Sequence, residues 1–354
     1  MSLSHSRPSI DNAEVSALAE ILLSGRLATN EKVVEFEQKM AEYFSVSGCI
    51  ATSSGTAALH LALLGLGIRE SMEVILPSFC CAALYQAVSY TGATPVFADC
   101  DPKTFLLTCE SIKAQITKKT RGIILPHMFG LPAEIDEILT LGIPVIEDIA
   151  QAMGSEYKGK KTGGLTDVGI TSFYATKMMT TGMGGMILSN DIRLLDTVRN
   201  INGVDKKKDL ALHLPYLMND IQAGMGCCQL KKLNNFVARR RDLASHLNNA
   251  LRSLPVLLPS DLPDRKHTFF RYCLRLEKDA GPVIAFLNSH DIEARRSIFC
   301  PLHRMEPHTS KNSALFKNTE EAWRNTISLP LYPDLKKEEL EQEIAVLKDA
   351  LMHF

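Results

Sequence analysis

Short apolar runs rich in β-branched residues, Glu73–Leu76, Pro95–Ala98, Gly122–Leu125 and Pro144–Glu147, alternate along the chain with segments of helical length and period such as Thr56–Leu66 and Cys81–Tyr90. Few folds accommodate that rhythm. A strand covered on both faces reads as a continuous apolar run, and two parallel strands need a crossover of about a dozen residues, usually a helix. The pattern predicts an α/β fold with a mostly parallel sheet covered by helices. Right-handed crossovers put the strand C-termini on one edge, where open sheets bind their ligands. Near Val168 the rhythm changes. Val168–Thr176 runs into Lys177, a turn with Gly182, Gly184 and Gly185, then Met186–Ser189. This predicts a hairpin or crossover within the same sheet.

At 354 residues the chain exceeds one ordinary core. A helical stretch from Ile221 to about Leu251, basic at Arg239–Arg241, suits a link between two domains. Beyond it, a strand at Phe270–Leu276 and helices at Val283–Ser289 and Lys336–Met352 predict a smaller α+β domain. We divide the chain into a large domain, 1–230, and a small one, 231–354. A net charge of −1 offers no field for a phosphate backbone, so nucleic acid is not an expected partner. The nine cysteines lack zinc-type spacing and read as reduced, small hydrophobes, with no metal site. No signal-peptide stretch and no apolar window of about 20 residues is present, which predicts a cytoplasmic protein without membrane association. The first three residues, Met-Ser-Leu, carry no weight in this reading.

Chemistry concentrates in three segments. In Thr52–Leu59 (TSSGTAAL), hydroxylated residues and Gly55 lead directly into a helix. Free N–H groups, a close backbone approach and hydroxyl donors form a phosphate cradle there, although an ordinary N-cap has the same residues. In Pro144–Gln151 a strand ends in Glu147 and Asp148, whose side chains point to opposite faces and cannot share a role. In Ser172–Lys177 a lysine closes an apolar strand. Burial there favours the neutral, nucleophilic amine, whereas snorkelling into solvent would leave an ordinary lysine. A phosphate cup, then an acid, then a strand-end lysine are what pyridoxal 5′-phosphate requires: donors for its phosphate, a carboxylate for its ring nitrogen and an amine for its aldehyde.

The segments SSGTAALHLALLGLGI, EVILPS, GATPVFAD, TRGIILPHMFG, IPVIEDIAQAMGSEYKGKKTGG, SFYATKMMTTGMGGMIL and IQAGMGCCQLKKLNNFVARRR resemble the DegT/DnrJ/EryC1/StrS family over about Gly25–Arg241. The resemblance implies a fold-type-I transferase using pyridoxal 5′-phosphate. It implies that Lys177 carries the cofactor as a Schiff base, Asp148 pairs with the pyridine nitrogen and Gln151 bonds the ring hydroxyl. Thr56, Ala57 and Ser172 then hold the phosphate, with Gly55 allowing the close approach. The implied reaction moves an amino group from an amino acid, with glutamate as expected donor, to a nucleotide-linked keto sugar. A homodimer is implied as well. The competing readings are a non-catalytic cofactor-binding sensor or scaffold, and a sugar dehydratase. Related dehydratases have histidine at the lysine position, so Lys177 argues for amino transfer.

Several positions depart from the family pattern. Cys81 stands where relatives place an aromatic residue against the cofactor ring, which would either loosen cofactor binding or leave Phe79 to move in. Met183 replaces a glutamate in the glycine turn. Pro215 replaces an asparagine expected to reach the neighbouring subunit's phosphate, and Leu217 replaces a cation; proline cannot donate from its backbone. His127 ends a strand on the ligand edge, as a pocket residue or a hydrogen-bonded core histidine. His303 reads as a surface-loop residue, and Lys206–Lys208 as a solvated charge run.

Overall fold

The computed structural model describes residues 2–203, 213–308 and 313–354; the lysine run at 206–208 lies outside them. A seven-stranded sheet positions everything else. Its strands are β1 (Gly48–Thr52), β2 (Glu73–Pro77), β3 (Thr94–Ala98), β4 (Thr120–Pro126), β5 (Val145–Asp148), β6 (Val168–Ser172) and β7 (Gly185–Ser189), in the order β1-β7-β6-β5-β4-β2-β3. Antiparallel β7 sits between β1 and β6, and every other pairing is parallel. The change of rhythm at Val168 is this reversal, with the glycine turn joining neighbouring strands β6 and β7. Helix Gly55–Gly65 is buried without interruption from Ala57 to Leu63. Being apolar all round, it packs against β6 and β7.

A second, four-stranded antiparallel sheet contains β8 (Val256–Leu257), β9 (Tyr272–Leu276), β10 (Arg295–Arg296) and β11 (Thr326–Leu329), in the order β8-β9-β11-β10. Helix Asp220–Leu251 runs past both sheets as one element of 32 residues, started by a reciprocal Asn219–Gln222 cap. Its Ala223, Cys227, Leu233 and Val237 join the core beneath the large sheet, and Leu243, Ala244, Leu247 and Leu251 join that of the small one. Residue 230 lies within this continuous helix. The chain's first residues also pack on the small sheet's core: Leu3 is buried and bridges Ile292.

Helix Lys337–His353 buries Glu343 with both carboxylate oxygens unpartnered among the described residues. Burial pushes this carboxyl well above its usual range, so it is protonated in the folded protein. Its contribution to stability is complete below the unfolded carboxyl's pKa, about 4.3, and is lost as pH rises towards the folded value. Glu343→Gln should remove this loss. We expect the variant to be at least about 1 kcal/mol more stable than wild type at pH 8 but not at pH 4.5, by urea unfolding. An identical pH response in both proteins would contradict this.

Candidate active site

The ends of β5 and β6 and the start of helix Gly55–Gly65 meet at the C-terminal edge of the parallel strands. Ser54 caps the helix in extended conformation. Its Oγ accepts the Ala57 N–H at 3.1 Å and its carbonyl accepts that of Ala58 at 3.0 Å. The N–H groups of Gly55 and Thr56 have no partner among the described residues. They are orphan donors at the positive end of a helix. Gly55 is required because a Cβ there would stand 2.7 Å from the Ser172 Cβ. Gly185 is equally constrained, since its Cβ would meet the Ser54 carbonyl oxygen at 2.3 Å. The cup wall is therefore backbone packed on backbone at Gly185 and on the Ser172 side chain at Gly55. Ala57 differs from the expectation, because its N–H is already given to Ser54.

A cavity of about 250 Å³ brings together Gly55, Thr56, Asp148, Ser172 and Lys177, with Cys81 and Met183 on its wall. A wider cleft of about 530 Å³ adjoins it, lined by Gln151, Phe270 and Arg271; Cys81, Tyr174 and Lys177 face both. The Lys177 Nζ lies 5.2 Å from the centre of the Phe270 ring, with no hydrogen-bond or ion-pair partner among the described residues. Burial lowers its pKa, opposed by the charge of Asp148. Burial raises the pKa of Asp148, while the Ala150 N–H at 2.9 Å and Lys177 draw it down. Gln151 accepts the Phe129 N–H through Oε1 at 3.0 Å.

Glu147 and Asp148 separate as strand alternation requires. Glu147 is fully buried, facing the His127 Nε2 at 3.0 Å and accepting the N–H groups of Gly163 and Leu165. His127 Nδ1 accepts the Ala133 N–H, so this histidine is a hydrogen-bonded core residue and not a pocket wall. The surface-loop reading of His303 is wrong. Its ring is buried against Phe316, with Nδ1 2.6 Å from the Ser78 Oγ and Nε2 2.8 Å from Glu320. A short turn tucks it against the end of β2, a long-range contact invisible in the local sequence. Phe79 does not replace the missing aromatic; it is in the core, stacked on Phe105. Tyr174, Phe270 and Arg271 escaped the sequence reading. The one available signal was Arg271, a cation interrupting the apolar run Phe269–Leu274.

The donor set suits pyridoxal 5′-phosphate: an unpartnered amine of lowered pKa, a buried carboxylate and orphan amides in one cavity. Among the described residues no group of three or more His, Cys, Asp or Glu side chains could hold a metal ion, and no helix is long and apolar enough to cross a membrane. Fold and site define a fold-type-I, pyridoxal-phosphate-dependent aminotransferase. The chain belongs to the DegT/DnrJ/EryC1/StrS aminotransferase family, whose model matches residues 8–348. It is 34% identical over 350 residues to GDP-perosamine synthase of Escherichia coli O157:H7, covering 94% of each chain. To GDP-perosamine synthase of Caulobacter vibrioides it is 35% identical over 335 residues, covering 90% of each. The solved structure of the aminotransferase TlmJ from Streptoalloteichus hindustanus is similar at a TM-score of 0.93 and 28% identity over 99% of both chains.

Proposed function

We propose that the protein transfers an amino group from an amino acid, with glutamate as donor, to a keto sugar carried on a nucleotide. The observation that carries this reading is the unpartnered Lys177 amine in one cavity with Asp148 and a helix N-terminus. The names of the relatives favour GDP as the carrier.

In this reading Gly55 and Thr56 offer their N–H groups to the cofactor phosphate, joined by Ser172 and, after releasing Ser54, Ala57. Asp148 keeps the pyridine nitrogen protonated, and Gln151 bonds the ring hydroxyl. When bound, the cofactor supplies an electron sink for the charge left as the donor loses its α-proton. Lys177 would hold the cofactor, and its free amine would serve as the base that takes the proton from the donor's Cα. Its lowered pKa suits that task, because a larger share of the amine is unprotonated near neutrality. Cys81, which lines the same cavity, would stand beside the cofactor ring where the family pattern has an aromatic residue. The protein works in this reading as a cytoplasmic two-fold dimer, with its large and small units sharing the helix Asp220–Leu251 and not parting at residue 230. Exposed Pro215 and Leu217 weaken the contact between subunits at the phosphate.

Absorbance of the purified holoenzyme tests this directly. Glutamate should discharge the cofactor band, and 2-oxoglutarate should restore it. A band indifferent to every amino acid would favour the sensor or scaffold reading instead.

A further inference from the structure

A separate cavity of about 230 Å³ adjoins the wide cleft and shares Phe129 and Arg271 with it. The turn 103–105 after β3, the turn 128–131 after β4 and the run 257–262 close around it. It is nearly as large as the cavity at Lys177, yet Asp148, Ser172 and Lys177 have no part in it. Its wall is strained. Phe105 and Phe129 line it with their rings edge to face, centres 5.7 Å apart, and both hold left-handed backbone angles, φ 64° and 57°. Phe269, stacked at 4.1 Å on the lining His267, holds a third, φ 51°. Bulky side chains rarely tolerate that region, and residues that do collect at functional sites. His267 is almost fully buried, and burial lowers its pKa to about 3, so the ring is neutral near pH 7. Its Nδ1 accepts the Phe269 N–H at 2.8 Å, which leaves the ring hydrogen on Nε2, a donor with no partner among the described residues. The lining cations are Lys103, Arg271 and Arg275, and no Asp or Glu lines the space. Arg275 is spent on Glu321 and the Pro102 carbonyl. Lys103 and Arg271 have no anionic partner among the described residues.

We propose that this cavity is an effector site for an aryl carboxylate, with the ring among Phe105, Phe129 and Leu131 and the carboxylate on the His267 Nε2–H. A cavity of about 150 Å³ accepts benzene, so this one has room for two fused rings. An amino acid fits less well, because its ammonium would enter a positive field with no carboxylate to meet it. The turn at Phe129 links the cavity to the site at Lys177. Gln151 accepts the Phe129 N–H through Oε1 at 3.0 Å, and the Arg271 N–H reaches the Phe129 carbonyl at 3.4 Å. A ligand packed on the Phe129 ring steadies the turn that holds Gln151, and so slows loss of the cofactor. Only this link rests on the transferase reading; the cavity and its ligand do not.

The probe is 2-naphthoate, titrated calorimetrically into holoenzyme. One molecule should bind per chain, and 2-naphthamide, equal in size but uncharged, should bind at least about tenfold more weakly. His267→Asn keeps an acceptor for the Phe269 N–H and removes the Nε2 donor. It should weaken 2-naphthoate roughly tenfold. Leu258→Trp, at a half-buried position on the wall, should abolish binding by filling the space. Cofactor loss on dialysis, followed by absorbance, should slow about fivefold or more when wild type is saturated with 2-naphthoate. No binding to wild type, or equal affinity for acid and amide, would overturn the site. Undiminished binding in Leu258→Trp would put the probe in the wide cleft and overturn it too. Binding that leaves cofactor loss unchanged would overturn the link through Phe129. Protein that binds 2-naphthoate but holds no cofactor would overturn the transferase reading and leave the site standing.

Discussion

Lys177→Ala is expected to lower amino transfer by about ten-thousand-fold or more, without unfolding the protein. The side chain makes no hydrogen bond or ion pair among the described residues, so its removal leaves no neighbour unsatisfied. Truncation enlarges a cavity that is already open, and stability should change little. What disappears is the covalent attachment and the base at the donor's Cα. Borohydride reduction followed by peptide mass spectrometry should place the cofactor on residue 177 in wild type and on no residue in the variant. Small primary amines should restore part of the lost rate, since they can occupy the vacated space and move the same proton. Activity within tenfold of wild type would exclude Lys177 from the chemistry.

Asp148→Asn should cost about a thousandfold in the glutamate half-reaction, roughly 4 kcal/mol of barrier. Asparagine keeps an oxygen for the Ala150 N–H and almost the same volume, so the comparison isolates the charge. Burial raises the pKa of Asp148 in the protein alone. The same burial strengthens its attraction to a cationic ring nitrogen, because charges interact more strongly where water is excluded. A protonated ring is the better electron sink, so the loss should appear in the rate and not in cofactor content. A variant that binds less cofactor but turns over normally per bound molecule would make Asp148 an anchor only.

Much of this architecture is legible in local residue patterns, for a physical reason. The strands 73–77, 120–126 and 145–148 are buried along nearly all of their length, and the edge strand 94–98 at its last two residues, so their apolar stretches lie close to where the sequence places them. Strand β1 is not legible. Gly48-Cys-Ile-Ala-Thr is mostly small residues, and it becomes a strand by pairing with β7, over 130 residues away. That Gly55, Thr56, Asp148, Ser172 and Lys177 line one cavity could be read because a strand end and a helix start each impose a direction on a side chain. His303 and Arg271 could not, because each takes its surroundings from contacts distant in sequence. Leu3 is the sharpest instance. A residue given no weight in the sequence is 6% exposed, and its N–H donates to the Asp291 carbonyl at 2.7 Å.

The unbroken helix from Asp220 to Leu251 has a mechanical consequence. A strut anchored in two separate cores resists hinging, because bending it would strip hydrogen bonds from its middle turns and unseat packed side chains at both ends. The gap between the walls is then set when the chain folds and not when a ligand arrives. Discrimination between sugars falls to the side chains that face the gap, which makes the protein a fixed gauge and not a closing jaw.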